Sequence, residues 1–248
     1  MDADVQKNLA KLTQVINEIE DGTDLVLFPE LFLHGFVNSE EIEQVSETSD
    51  GPALKAVMVL AQEKNITIIV GFAERKSGRF YNSVAWVSPK AIEFIYRKTY
   101  LWVCDENVFE KDDNYPVIDF GDLTFGCAIC FDIEFPETGR ALSGQGANVI
   151  LVSNGNMNPY GMVHRVSAQA RALENHAFVI MCNRVGSARG LEFVGDSVVV
   201  GPDGKILAEL GDAERVEYFE IDKAAILKSK ENYNYLEQIS SMPEKQNT

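Results

Sequence analysis

Three residues in this chain carry side chains suited to covalent acyl transfer, and each follows an apolar run that stops abruptly. Cys130 closes the run Leu123-Thr-Phe-Gly-Cys-Ala-Ile-Cys, Glu30 follows Leu25-Val-Leu-Phe-Pro, and Lys98 follows Ile92-Glu-Phe-Ile-Tyr-Arg. Each run reads as a short strand rich in β-formers, and the acids and Pro136 after Cys130 mark a strand end. In α/β sheets, sites gather beyond the carboxyl ends of strands. Brought together there, a carboxylate can take a thiol proton, the thiolate can attack a carbonyl or nitrile carbon, and an ammonium can stabilise the charge that develops. Taken singly, each residue has a plainer reading: a buried structural cysteine, a solvated loop acid, a surface lysine.

Other chemistries fit less well. Cys127 and Cys130 form a Cys-x-x-Cys, which could be a redox dithiol or half a metal site. Residues three apart on a strand face opposite ways, and a redox pair normally sits at a helix start. No second Cys-x-x-Cys exists, and His34, His164 and His176 lack metal-ligand spacing.

The elements that must position these groups can be read from periodicity. Val5, Leu9, Leu12, Val15, Ile16 and Ile19 recur at helical spacing ahead of the strand at 24–29, and a second helix over 53–64 feeds a strand at 66–72. Segments 82–87 and 91–96 flank Ser88-Pro-Lys as a hairpin. The strand 123–130 leads to a helix over 138–144 and a strand at 148–153. A helix opened by Pro159 and a strand at 178–183 follow, and a hairpin turns on Gly201-Pro-Asp-Gly204. Alternating helices and strands predict an α/β architecture, with one domain over 1–248 and a polar, disordered tail from about 238.

Composition narrows the partners. The 248 residues are 46% hydrophobic, enough for one large core, and carry a formal net charge of -16. Such a field repels phosphate backbones and anionic membranes, so neither nucleic acid nor a membrane surface is an expected partner. The chain has no signal-like start and no long apolar stretch, and its four cysteines are few for its length. These features predict a cytoplasmic protein with reduced thiols.

In this order and context the motifs resemble the nitrilase superfamily of carbon–nitrogen hydrolases. The residues that carry the resemblance are Phe28-Pro-Glu30, Tyr96-Arg-Lys-Thr-Tyr-Leu101 and Cys130-Phe-Asp-Ile-Glu-Phe-Pro-Glu137, and it continues through Ala170-Arg-Ala-Leu-Glu-Asn175 to Gly201-Pro-Asp-Gly204. The resemblance implies a four-layer α-β-β-α sandwich and a triad of Glu30 as base, Lys98 as oxyanion stabiliser and Cys130 as nucleophile. It implies no metal or organic cofactor, a small amide as substrate, and a homodimer or larger homo-oligomer. The Phe131 backbone N–H would share the oxyanion with Lys98. A second active-site acid is expected in the loop Trp102-Val-Cys-Asp-Glu-Asn-Val-Phe109. Spacing back from Phe109 gives Asp105, but Glu106 is preferred for its longer reach toward Lys98. Phe131, Glu134, Asn154, Asn156, Met157, Tyr160, Trp102 and Phe36 are candidates to line the substrate pocket, whereas Arg171, Glu174 and Asn175 read as structural.

The family usually begins with a strand before its first helix, whereas here the chain starts on that helix, so a sheet strand is expected to be missing. Amide hydrolysis is preferred over nitrile hydrolysis. A catalytically silent binding homologue and a thiol redox protein stand as the alternatives.

Overall fold

The structure is a computed structural model and describes residues 3–240. In chain order the first half comprises α1 (Val5–Glu18), β1 (Leu25–Leu27), α2 (Ile42–Val45), α3 (Pro52–Lys64), β2 (Thr67–Lys76), β3 (Arg79–Val87) and β4 (Ile92–Arg97). The second half comprises β5 (Val117–Phe120), β6 (Leu123–Ile129), a 3-10 turn at Cys130–Glu134, α4 (Pro136–Gly144), β7 (Val149–Ser153), α5 (Gly161–Asn175) and β8 (Phe178–Cys182). It continues with β9 (Val185–Ala188), β10 (Leu191–Val194), β11 (Val198–Val200), β12 (Ile206–Glu209), α6 (Lys223–Ser229) and α7 (Tyr235–Ser240).

The helix ends follow local chemistry. The Asp4 carboxylate accepts the Lys7 N–H and caps α1, satisfying one of the four donors a helix start leaves open. In α3, Pro52 sits in the first turn, where its missing N–H costs nothing, and Asn65 closes the helix in a left-handed conformation.

Two sheets result. The first has the order β1-β2-β3-β4, with β1 parallel to β2 and the rest antiparallel. The second has the order β12-β11-β8-β7-β6-β5, in which β6, β7 and β8 run parallel. Strand alternation divides each sheet between two cores. On β2 and β3, Ile68, Val70, Phe72, Ala85 and Val87 pack against Leu12 and Ile16 of α1 and Leu54 and Val57 of α3. The intervening residues Ile69, Val84 and Trp86 face the other sheet and meet Phe125, Cys127, Ile129, Leu151 and Phe178. On the far side, Ala128, Ile150, Val152 and Val179 pack against Leu142 of α4 and Ala168 and Ala172 of α5. The layers therefore run helix, sheet, sheet, helix.

Some expectations need correction. The helix expected to open at Pro159 begins at Gly161, so Pro159 precedes it. Residues 238–240, expected in a disordered tail, lie in α7; the remainder of that tail, 241–248, falls outside the described residues. Among the described residues β1 is paired only with β2, and no helix is long and apolar enough to cross a membrane.

Candidate active site

Glu30, Lys98 and Cys130 sit just past the ends of β1, β4 and β6, so two sheets supply one cluster. Beyond β1 the chain stays on β2 through Phe28 N–H to Ile69 O (2.9 Å) and Leu33 N–H to Gly71 O (3.0 Å). Gly71 permits that approach, because a Cβ there would lie 2.5 Å from the Leu31 nitrogen. The two sheets are joined beside Glu30: its N–H donates to Asn154 O (3.2 Å), and Ser153 Oγ donates to Phe28 O (2.9 Å). Lys98 is fixed by its N–H donating to Asn82 O (2.8 Å).

Cys130 adopts a left-handed conformation, φ 47°, which costs a non-glycine residue on the order of 1 kcal/mol and needs support from its surroundings. Asp132 supplies that support. Its Oδ2 accepts Ile129 N–H (2.9 Å) and Tyr96 O–H (2.7 Å), and its Oδ1 accepts Thr99 N–H (3.2 Å) and Tyr100 N–H (2.8 Å). One buried carboxylate thus ties the turn carrying Cys130 to the segment carrying Lys98. Burial pushes the Asp132 carboxyl up to about 6, against the pull of those donors.

Lys98 is fully buried, and its Nζ donates to Glu30 Oε1 (2.7 Å) and Asp105 Oδ2 (2.6 Å). Burial alone would lower its pKa, but Asp105, Glu30 and Cys130 outweigh that and hold the ammonium charged well above the ordinary lysine range. Glu30 divides its oxygens. Oε1 takes Lys98 Nζ and Asn82 Nδ2 (2.8 Å), while Oε2 is buried with no hydrogen-bond partner among the described residues. Burial pushes the Cys130 thiol well above its ordinary pKa and Glu30 adds to this, with Lys98 and the Gly155 N–H pulling the other way. The resting residue is therefore a thiol, and its proton needs an acceptor before it can attack.

In the loop expected to carry the second acid, the residue that reaches Lys98 is Asp105 and not Glu106. Asp105 is buried against Lys98 and also accepts Trp102 N–H (3.1 Å), whereas Glu106 is exposed. The shorter side chain suffices because a tight turn from Trp102 carries the Asp105 backbone inward, its N–H donating to Trp102 O (2.7 Å). The spacing back from Phe109 carried this information; the preference for reach overrode it.

A small pocket of about 30 Å³ opens over the cluster. Phe131, Glu134, Asn156, Met157, Tyr160, Trp102 and Phe36 line it as expected from the sequence. Trp102 packs edge-on against Phe131 (5.0 Å) and Tyr160 (5.2 Å). Asn154 does not line it. That side chain is wholly buried behind the wall, bonded to His164 Nδ1 (3.1 Å) and Met181 Sδ (3.1 Å). Sequence reasoning missed His164, Leu191, Cys104 and Gly155, all of which line the pocket, and Asn82, which holds Glu30. Cys127, the other half of the Cys-x-x-Cys, packs between the sheets as a free thiol that burial pushes far up.

Gly155 leaves no room for a side chain beside Glu30. A Cβ there would lie 2.5 Å from Glu30 Oε2 and 2.6 Å from Phe36 Cζ. Gly155→Ala is expected to lower kcat at least about tenfold by displacing Glu30, since small misplacements of reacting groups are costly. Retention of wild-type kcat, measured by ammonia release from a small amide, would show that Glu30 tolerates the shift.

The family model described as carbon–nitrogen hydrolase matches residues 1–230. The chain belongs to this carbon–nitrogen hydrolase family. It is 40% identical over 236 residues to an (R)-stereoselective amidase from Pseudomonas sp., covering 95% of this chain and 86% of that protein. The fold of this carbon–nitrogen hydrolase matches the crystal structure of a superfamily protein from Xanthomonas campestris with a TM-score of 0.88, covering 98% of this chain and 94% of that one at 22% identity. It is also similar to an amidase from Nesterenkonia sp. AN1, with 29% identity, a TM-score of 0.78, and 85% of each chain covered; that structure, a glutamate-to-glutamine variant, carries acrylamide added at its active-site cysteine.

Proposed function

We propose that this protein hydrolyses small amides to the carboxylic acid and ammonia through a thioester on Cys130. The observation that carries the reading is the division of labour on Glu30. One oxygen is held by Lys98 and Asn82, and the other is buried, unpartnered and available for a proton. A thiol kept protonated by burial requires such a base.

In this reading Glu30 Oε2 takes the Cys130 proton as the sulfur attacks the amide carbon, and the C=O becomes an oxyanion. Lys98 Nζ and the Phe131 N–H, which lies in the first turn of the 3-10 segment where a helix leaves its donors open, receive that charge. As the adduct collapses, the C–N bond breaks and Glu30 returns its proton to the departing nitrogen, which leaves as ammonia. Water then attacks the thioester carbon with Glu30 again as base. The acid leaves and the thiol is restored, with no external oxidant or reductant. Similarity to proteins named as amidases favours amides over nitriles as substrates, and the small pocket favours compact ones.

The test is ammonia release from a panel of small amides and nitriles, with mass analysis of the peptide bearing Cys130. Release from amides together with an acyl mass on Cys130 supports the reading. No release from any compound, with Cys130 unmodified, overturns it in favour of a silent homologue.

A further inference from the structure

Among the described residues, Glu134 is the one carboxylate on the pocket wall with no lysine or arginine partner. Of the three acids lining the pocket, Glu30 and Asp105 share Lys98. Glu134 ends the 3-10 turn that Cys130 begins, so at roughly 2 Å of rise per residue its backbone lies about 8 Å along that turn from the nucleophile. Among the described residues its side-chain hydrogen-bond partner is His164, whose Nε2 lies 3.1 Å from Oε1. That contact uses one site on one oxygen, while a carboxylate offers about four acceptor sites on two. The side chain keeps a quarter of its surface accessible, on a wall otherwise dominated by Phe36, Trp102, Phe131, Met157 and Leu191.

The geometry points to a substrate subsite in which Glu134 receives a protonated amine carried a few bonds from the reacting amide carbonyl. This deepens the amide-hydrolysis reading and rests on it. An ammonium has three donors and no acceptor, so it matches an acceptor-only group. The apolar wall excludes water from part of the pair, which raises its worth above that of an open surface contact. His164 acts as the positioning group: its Nδ1 is bonded to the buried Asn154 side chain and its Nε2 to Glu134, which fixes the direction from which Glu134 meets the ligand. An amide bearing a free carboxylate would meet Glu134 with like charge, in a pocket whose only ammonium is already shared by two acids and on a chain of net charge -16.

The experiment compares kcat/KM for amides matched in size and differing only in the terminal group: glycinamide, propionamide and malonamate, together with the series one and two methylenes longer. The wild-type protein is expected to favour the ammonium-bearing amide over its methyl counterpart by about tenfold or more in at least one series, and to use the carboxylate-bearing amide least. Glu134→Gln, which keeps the shape and an acceptor for His164, is expected to cut that cation-to-neutral ratio by about tenfold, chiefly through KM. Equal use of cationic and neutral amides by the wild-type protein overturns the subsite, as does an unchanged ratio in Glu134→Gln. The wild-type comparison decides the matter even if the variant fails to fold. Absence of ammonia release from every amide, with Cys130 unacylated, overturns the hydrolase reading and this subsite with it.

Discussion

Replacing Lys98 with methionine is expected to lower Tm by roughly 10 °C at pH 8 and amide turnover by more than about 10²-fold. The first figure follows from breaking a buried ion pair, which costs about 3–5 kcal/mol because a charge is left without its partner, at about 2–4 °C per kcal/mol for a chain of this size. Here Glu30 and Asp105 both lose the ammonium they share. The second figure is the usual cost of deleting an oxyanion donor. A pH series separates this account from a simple packing defect. Two acids buried without a cation relieve each other by binding a proton, so the folded variant binds more protons than its unfolded chain, and its stability deficit should shrink as pH falls. A deficit equal at pH 5 and pH 8 in thermal melts would mean that the methionine disturbs packing and that the carboxylates are not balanced by Lys98.

Asp105→Ala is expected to reduce kcat/KM about 10²-fold, while Glu106→Ala stays within about twofold of wild type. Asp105 holds Lys98 Nζ at 2.6 Å and accepts the Trp102 N–H. Its removal frees the ammonium to follow Glu30 alone and opens the turn bearing a pocket aromatic, and a misplacement near 1 Å can account for two orders of magnitude. Glu106 points to solvent, where a single charge contributes little. Steady-state rates for the two variants on one amide decide it. Equal losses would mean that the loop rearranges when substrate binds.

Strands β2 and β6 were legible because they are buried on both faces, whereas β1 and β4 are mostly half-buried and were legible from their short apolar runs. The apolar run at 66–72 is β2 at its core, where alternate residues serve different layers, and the runs ending at Glu30, Lys98 and Cys130 lie in β1, β4 and β6. The hairpin of β9 and β10 was not legible. Its strands mix Val185, Phe193 and Val194 with Gly186, Ser187 and Glu192 and are mostly half exposed, so four residues each show no continuous apolar face. Strand β5 was missed for a similar reason: Val117-Ile-Asp-Phe is too short to show a period. Within the site, residue types near motifs were readable but directions were not. Asn154 follows a strand just as a pocket residue should, yet its side chain turns back toward Met181. His164 lies on α5 between Val163 and Arg165, with no local cue that its ring reaches Glu134, thirty residues earlier.

Every strand of the first sheet comes from residues 25–97 and every strand of the second from 117–209, yet the reactive cluster draws Glu30 and Lys98 from one and Cys130 from the other. The chain thus behaves like two consecutive partners whose meeting surface happens to be covalently linked. Neither half owns the chemistry. The hydrogen bonds from Ser153 to Phe28, from Glu30 to Asn154 and from Tyr96, Thr99 and Tyr100 to Asp132 run along the seam that registers the halves, so competence depends on how firmly they associate rather than on the robustness of either sheet. A substitution far from Cys130 that loosens this association would silence the protein while leaving each half's secondary structure in place.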